Sequence, residues 1–393
     1  MHTGLSLIFQ NVDDDLSDAD VYRHELELAA RAESSGFESV WVPEHHFTSY
    51  QLTPNVPQFL AWLASQTSTL KLGTMVSVLP WQDPIRTAEN FVMLDHLSGG
   101  RGMLGIGRGL GRVEFDGFRL QMGESRRRFS EYAEAILNGL DSGFMEYAGE
   151  FYRQPRVELR PRPFAPYRGR TFASAISPQS IDLMAGLGAG LMVIAQKPWE
   201  TVEAEMANYR RRYLEVNGEE APKPILCVFV GVAPTEEEAQ TLRDVYLQRY
   251  ARSTVEHYEF DNVGFAQIEG YEYYAALSRN IEKHGLDRFC SFLADLQVWG
   301  TPDQVVERVL GYVDRLDAGA VVMAPSFGNM PPEVSAANYD LLAREVVPRL
   351  QAYDVGGDVG VRHGAGPVRE RGAQAQEEPG ERPEDVPTIG LLP

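Results

Sequence analysis

Two histidines and a carboxylate stand side by side at Glu44-His45-His46, where a short apolar run, Ser39 to Val42, gives way to proline. A neutral imidazole near its working pH can accept or return a proton, which makes His45 and His46 candidates for acid–base work. The same three side chains could donate to a metal ion. Neighbouring residues at a strand end point to opposite sides, however, so one ion does not easily take both imidazoles, and no metal is expected. A second set of residues suits an anion. Arg108 lies between glycines at the end of the apolar run Gly102 to Ile106, where a guanidinium can meet a phosphate held by backbone amides. Ser177-Pro178-Gln179-Ser180 starts a helix just after another apolar run, and a helix N-terminus carrying hydroxyls is a ready phosphate site. Together they suggest a phosphorylated cofactor lying beside the histidines.

Familiar alternatives are missing. Gly105-Ile106-Gly107-Arg108-Gly109-Leu110 lacks the last glycine of the dinucleotide fingerprint. The sequence has no phosphate loop ending in Gly-Lys, no Gly-x-Ser-x-Gly elbow and no His-Glu-x-x-His helix.

The elements that must position these residues alternate strand and helix. Strands are predicted at Gly4 to Phe9, Ser39 to Val42, Leu72 to Leu79, Gly102 to Ile106, Thr171 to Ala175, Gly190 to Ala195, Ile225 to Val232 and Ala320 to Ala324. Short apolar strands without alternation belong to a parallel sheet covered on both faces. The helices between them carry legible start signals: Ser17 with Asp20, Asp83 before Pro84, and Thr301-Pro302-Asp303-Gln304. About eight strand–helix pairs over roughly 350 residues favour a closed (β/α)8 TIM barrel with insertions, in which ligands bind at the carboxyl ends of the strands. That fold is expected over residues 1–352. Two stretches break the pattern. Phe144 to Arg170 is rich in proline and arginine and reads as irregular. Ala251 to Leu296 is aromatic, shows no clean period, and is a candidate lid. Residues 354–393 are mostly Gly, Pro, Glu, Arg and Gln, and read as a disordered tail with no part in catalysis.

With 44% hydrophobic residues the chain can bury a large core. A net charge of −20 argues against nucleic acid as a partner, since no basic face is concentrated anywhere. No run of about 18 apolar residues is present, so no membrane span is expected. The amino terminus lacks a signal-peptide pattern, and the two cysteines, Cys227 and Cys290, sit in apolar stretches. A cytoplasmic enzyme is expected, with a homodimer as its assembly.

At this point the residues become familiar. Glu44-His45-His46-Phe47, Leu72-Gly73-Thr74, Leu79-Pro80, Pro84 with Ala88-Glu89, Leu94-Asp95 through Arg101, and Gly107 to Leu110 together resemble the bacterial luciferase-like family of flavin-dependent monooxygenases. The spacing is kept over roughly the first 110 residues and more weakly to about residue 350. The resemblance implies a (β/α)8 barrel, reduced FMN (FMNH2) supplied by a separate flavin reductase, and O2 as co-substrate. It also implies oxygenation of a small organic molecule through a flavin C4a-peroxide. His45 matches the histidine facing the flavin, and Glu44 and His46 match its neighbours and hold the loop. Arg108 and Ser177 match phosphate ligands, Leu110 packs on the ring edge, and Glu114 matches an acidic position near the cofactor. Met75-Val76 falls where a non-proline cis peptide lies under the ring. Gly107 stands where light-emitting members carry a reactive cysteine. Ile176 replaces an acidic residue, and Ala195-Gln196 replaces an aromatic one near the flavin. These departures point away from long-chain aldehydes. F420-dependent hydride transfer and non-catalytic flavin binding stay open as alternatives.

Overall fold

The computed structural model describes residues 1–174 and 178–356. Its centre is a closed ring of eight parallel strands: β1 (His2–Ser6), β2 (Ser39–Val42), β3 (Lys71–Thr74), β4 (Gly102–Gly107), β5 (Thr171–Ser174), β6 (Gly190–Ile194), β7 (Ile225–Val232) and β8 (Ala320–Ala324). Ring closure is made by β8 pairing with β1, with His2 opposite Ala320. This is the expected (β/α)8 barrel. Its first six crossover helices are α1 (Asp18–Arg31), α2 (Val56–Gln66), α3 (Pro84–Ser98), α4 (Ser125–Ser142), α5 (Pro178–Gly186) and α6 (Trp199–Asn217).

All four residues of β2 are buried, which is why the run does not alternate. Val40 and Val42 face the helices, while Trp41 fills the barrel interior with Met103, Phe172, Met192 and Ile225. Gly73 on the next strand makes room for the indole: a Cβ there would lie 2.2 Å from Trp41 Cε3. At the amino-terminal end of the strands, Asp95 grips Arg170 through both oxygens, at 3.0 and 2.8 Å, and accepts from the Gly102 amide. Arg101 donates there to the carbonyls of Ala64, Thr67, Leu70 and Ser98. The Leu94 to Arg101 run therefore serves as scaffold at the amino-terminal ends of the strands.

Four sequence expectations need correction. The first strand is His2–Ser6 rather than Gly4 to Phe9, because the chain has already left the sheet at Phe9, with φ +47°. Leu72 to Leu79 is not one strand: β3 stops at Thr74, the Met75–Val76 peptide is cis, and Ser77–Val78 pairs separately with β4. Phe144 to Arg170 contains an antiparallel hairpin, Phe144–Ala148 with Arg153–Glu158, whose pattern was masked by its exposed arginines. The aromatic stretch Ala251 to Leu296 is largely helical: α7 (Gln248–Tyr258), α8 (Glu272–His284) and α9 (Leu286–Leu296). Its period survives in Phe289, Cys290, Leu293 and Leu296, but the Gly285 break between α8 and α9 shifts the register and hides it.

The chain closes with α10 (Pro302–Leu316), opened by the Thr301–Gln304 capping box, and α11 (Pro332–Leu341). At the carboxyl end of the described residues the Met1 ammonium donates to Tyr353 O at 2.6 Å, and Lys223 donates to the Val355 carbonyl. Most of the tail, 357–393, lies outside the described residues. Among the described residues no helix is long and apolar enough to cross a membrane. Both cysteines are free and buried.

One buried group makes the fold pH-sensitive. Glu25 on α1 is 2% exposed and its Oε2 has no partner. Burial raises its carboxyl from 4.5 to about 7, against the pull of a hydrogen bond from Ser326. Between those values the folded chain keeps a proton that the unfolded chain has lost, so stability falls as pH rises through this window and the whole penalty is present above it. Glu25→Gln is expected to stabilise by about 1–3 kcal/mol at pH 8 and to have little effect near pH 4.5. Urea unfolding of both proteins across that range checks this. A difference independent of pH would show that Glu25 does not titrate there.

Candidate active site

The loop after β2 is built around Glu44. Its carboxylate is 2% exposed. Oε2 accepts from the Val78 amide at 3.0 Å and Ser77 Oγ at 3.3 Å. Oε1 accepts from Trp81 Nε1 at 2.8 Å and Gln82 Nε2, and faces His46 Nε2 at 3.0 Å. Glu44 therefore ties the β2 exit to the segment after β3. His46 fills the space beside it, edge-on to Phe118 at 4.7 Å. Both residues hold the loop.

His45 turns the other way. Its Nδ1 lies 2.9 Å from Glu114 Oε1, and its Nε2 lies 3.3 Å from the Tyr258 hydroxyl. Glu114 sits on the short helix Arg112–Gly117 beyond β4 and is 1% exposed. The His46 amide also donates to Oε1 at 3.0 Å. Burial works to raise the Glu114 carboxyl. The facing imidazoles of His45 and His257, through electrostatics and hydrogen bonding, overcome it and hold the group down to about 2. The pair is an ionised carboxylate orienting an imidazole. Burial also keeps the Tyr258 phenol well above its ordinary value, so it remains a hydroxyl donor.

His45 and His46 face different glutamates. A different trio comes together: His45, Glu114 and His257 offer ligand atoms within 4.8 Å of one another. Glu114 Oε1 is already committed to His45 Nδ1 and to the His46 amide.

These groups open onto a cavity at the carboxyl ends of the strands. Met75, Val76, Arg108, Leu110 and Glu114 all line it. Arg108 lies over the Tyr271 ring at 4.3 Å and donates to the Gly270 carbonyl at 3.1 Å. Ala195 does not line the cavity: its side chain is buried in the outer core, and its neighbours Ile194 and Gln196 face the space instead. Ser177 lies outside the described residues, while Ser180, one turn on, lines the wall.

Sequence reasoning missed Arg126 and His257; Tyr258 falls in the aromatic stretch it read as a candidate lid. Arg126 on α4 joins Arg108 near Gly270, where a Cβ would lie 3.1 Å from Arg108 Nη1 and 3.4 Å from Arg126 Nη2. The run Arg126-Arg127-Arg128 at the start of α4 was the available signal. Tyr258 and His257 come from the insertion, whose helices pack an aromatic cluster over Phe115.

A family model described as luciferase-like monooxygenase matches residues 1–318. The oxygenase component of a flavin-dependent trigonelline monooxygenase from Acinetobacter baylyi is 29% identical over 245 residues, 61% of this chain and 67% of that protein. Two uncharacterized proteins of Sinorhizobium fredii reach 36% and 32% identity but are matched over only 42% and 55% of their own lengths. Among solved structures, monooxygenase RslO1 from Streptomyces bottropensis superposes with a TM-score of 0.74 at 24% identity, covering 89% of this chain and all of that one. The oxygenating constituent of a Pseudomonas putida Baeyer-Villiger monooxygenase in complex with FMN gives 0.67 at 19%, covering 89% and 98%. At these identities the superpositions show the fold.

Glu44→Gln replaces an acceptor with an amide that must turn its N–H2 toward one of the gathered donors. A loss of about 1–3 kcal/mol is expected, the cost of an unsatisfied buried polar group. Urea unfolding at neutral pH measures it, and wild-type stability would mean that Glu44 does not hold the loop.

Proposed function

The chain belongs to the luciferase-like monooxygenase family, and from that premise we propose that it is the oxygenase of a two-component system. It takes reduced FMN from a separate flavin reductase and uses O2 to oxygenate a small organic substrate, by hydroxylation or by insertion between two carbons. The observation that supports this most is a single cavity lined both by two arginines and by the carboxylate–imidazole pair. The relative named as an oxygenase component supports the partner, and the FMN-bound Baeyer-Villiger structure supports the cofactor.

The residues present fit such a cofactor. Arg108 and Arg126, with Ser180, suit a dianionic phosphate. Met75, Val76, Val78 and Ile194 offer an apolar surface to a flat ring system. Gly107 and Gly109 keep the exit of β4 free of side chains, since a Cβ at either would meet Val76 or Val78 within 2.8 Å. Reduced FMN, when bound, supplies the electrons that activate O2. The protein's part is to hold, dry and protonate. Glu114 keeps a proton on His45 Nδ1, leaving Nε2 to take a proton from the reacting centre or return one, with the Tyr258 hydroxyl beside it. The insertion covers the cavity through Tyr258, Tyr273 and Tyr274 and excludes water, which would otherwise divert the oxygen chemistry.

Two experiments test this reading. Anaerobic titration is expected to show saturable binding of reduced FMN, and Arg108→Ala is expected to weaken it by roughly 10–100-fold, the worth of a hydrogen bond to a charged group. Riboflavin, which lacks the phosphate, should bind both proteins alike. Saturable binding of reduced F420 with none of reduced FMN would replace the proposal with hydride transfer. His45→Ala should keep FMN affinity and lower oxygenation by roughly 10²–10⁴-fold. Wild-type turnover would remove His45 from the chemistry.

A further inference from the structure

His257 is a buried imidazole without an assigned role. Its side chain is 1% exposed, and its ring stacks on Tyr50 at 4.4 Å and meets the His45 ring edge-on at 4.9 Å. Nδ1 is hydrogen-bonded to Thr48 Oγ1 at 3.0 Å. Nε2 has no hydrogen-bond partner, and it faces Glu114 Oε2 at 3.7 Å. Gly111 lines the gap between them: a Cβ there would lie 2.6 Å from Glu114 Oε2 and 3.1 Å from His257 Nε2. Any side chain at 111 would push the two groups apart.

Donor and acceptor chemistry sets the proton on this ring. A lone pair on Nε2 would face a carboxylate oxygen in a buried site, placing two acceptors against each other. A proton on Nε2 turns the same approach into an attraction and leaves Nδ1 to accept from the Thr48 hydroxyl. Glu114 then has a donor directed at each oxygen: His257 at Oε2, and His45 Nδ1 with the His46 amide at Oε1. With the carboxylate held in that orientation, His45 carries its proton on Nδ1 and turns its Nε2 lone pair toward Tyr258.

We propose that His257 is a positioning residue that acts through Glu114 to fix the tautomer of His45, and that the insertion carrying it makes that tautomer depend on the insertion being seated. The proposal rests on the acid–base role given to His45 above. His257 and Tyr258 are successive residues at the end of α7, so one helix end addresses Glu114 and His45 together. Withdrawal of α7 removes the donor to Oε2 and the hydroxyl at His45 Nε2 in one movement. The base is assembled only under a closed cover.

The test reads the tautomer directly. Long-range proton–nitrogen spectra of the full chain, labelled with ¹⁵N-histidine and free of flavin and substrate, report which ring nitrogen of His45 is protonated. The resonance is assigned by its loss in His45→Ala. The wild type and His257→Gln, whose amide can supply a donor in place of Nε2, are expected to show the Nδ1-protonated form. His257→Leu is expected to show a mixture of both forms, and to lower oxygenation at least about 10-fold while FMN affinity is kept. Thr48→Val, which removes the hydroxyl that sets the His257 ring, serves if His257→Leu does not fold, and should also give a mixture. A single Nδ1-protonated His45 in both His257→Leu and Thr48→Val overturns the proposal. Because this readout needs no turnover, it separates from the functional reading: an inactive assignment of His45 would leave the tautomer result intact, and the reverse.

Discussion

Burying a carboxylate away from lysine and arginine is the constraint from which this end of the barrel follows. Glu44 is almost fully enclosed, so its charge must be met by donors gathered from elsewhere in the chain. Ser77, Val78, Trp81 and Gln82 are those donors, and all belong to the segment after β3. The exits of two adjacent strands are thereby locked together. The lock fixes where the next two residues go: His46 is used up against Glu44 and Phe118, while His45 faces the second buried carboxylate, Glu114. Two glutamates send two neighbouring histidines in different directions, His46 into the loop and His45 toward the cavity.

Much of this was legible in the sequence, for definable reasons. Strand and helix alternation came through because parallel strands buried on both faces read as unbroken apolar runs; β2, β7 and β8 match the expected ranges residue for residue. Helix starts came through at the capping residues Ser17, Asp83 and Thr301, but not at Thr235, which caps the helix Glu236–Thr241. The failures lie where local pattern and tertiary structure part company. Leu72 to Leu79 is largely apolar, yet the chain leaves the sheet at Thr74. The insertion obeys a helical period that its internal glycine interrupts.

For the candidate site, the residues near Glu44 and Arg108 could be found because they stand in short motifs. Ala195 was misplaced by one position on a strand, which is enough to send a side chain to the opposite face. Arg126, His257 and Tyr258 lie in stretches without any motif, and only folding brings them to the same cavity as His45. Glu114 was expected near a cofactor; its observed partner is the imidazole, which gives it a different and more definite task.

The exit of β4 is a surface made largely of missing atoms. At Gly107, Gly109 and Gly111 a single added methyl would strike Val76, Val78 or Glu114. The floor of the cavity therefore has almost no freedom to vary without moving the chain beneath it. Tyr273 and Tyr274 contribute to the opposite wall from α8, a helix outside the barrel ring. A change of substrate, whether by descent or by an engineer's hand, is best made in that helix: the floor is a fixed die, and the roof is the part that can be recast.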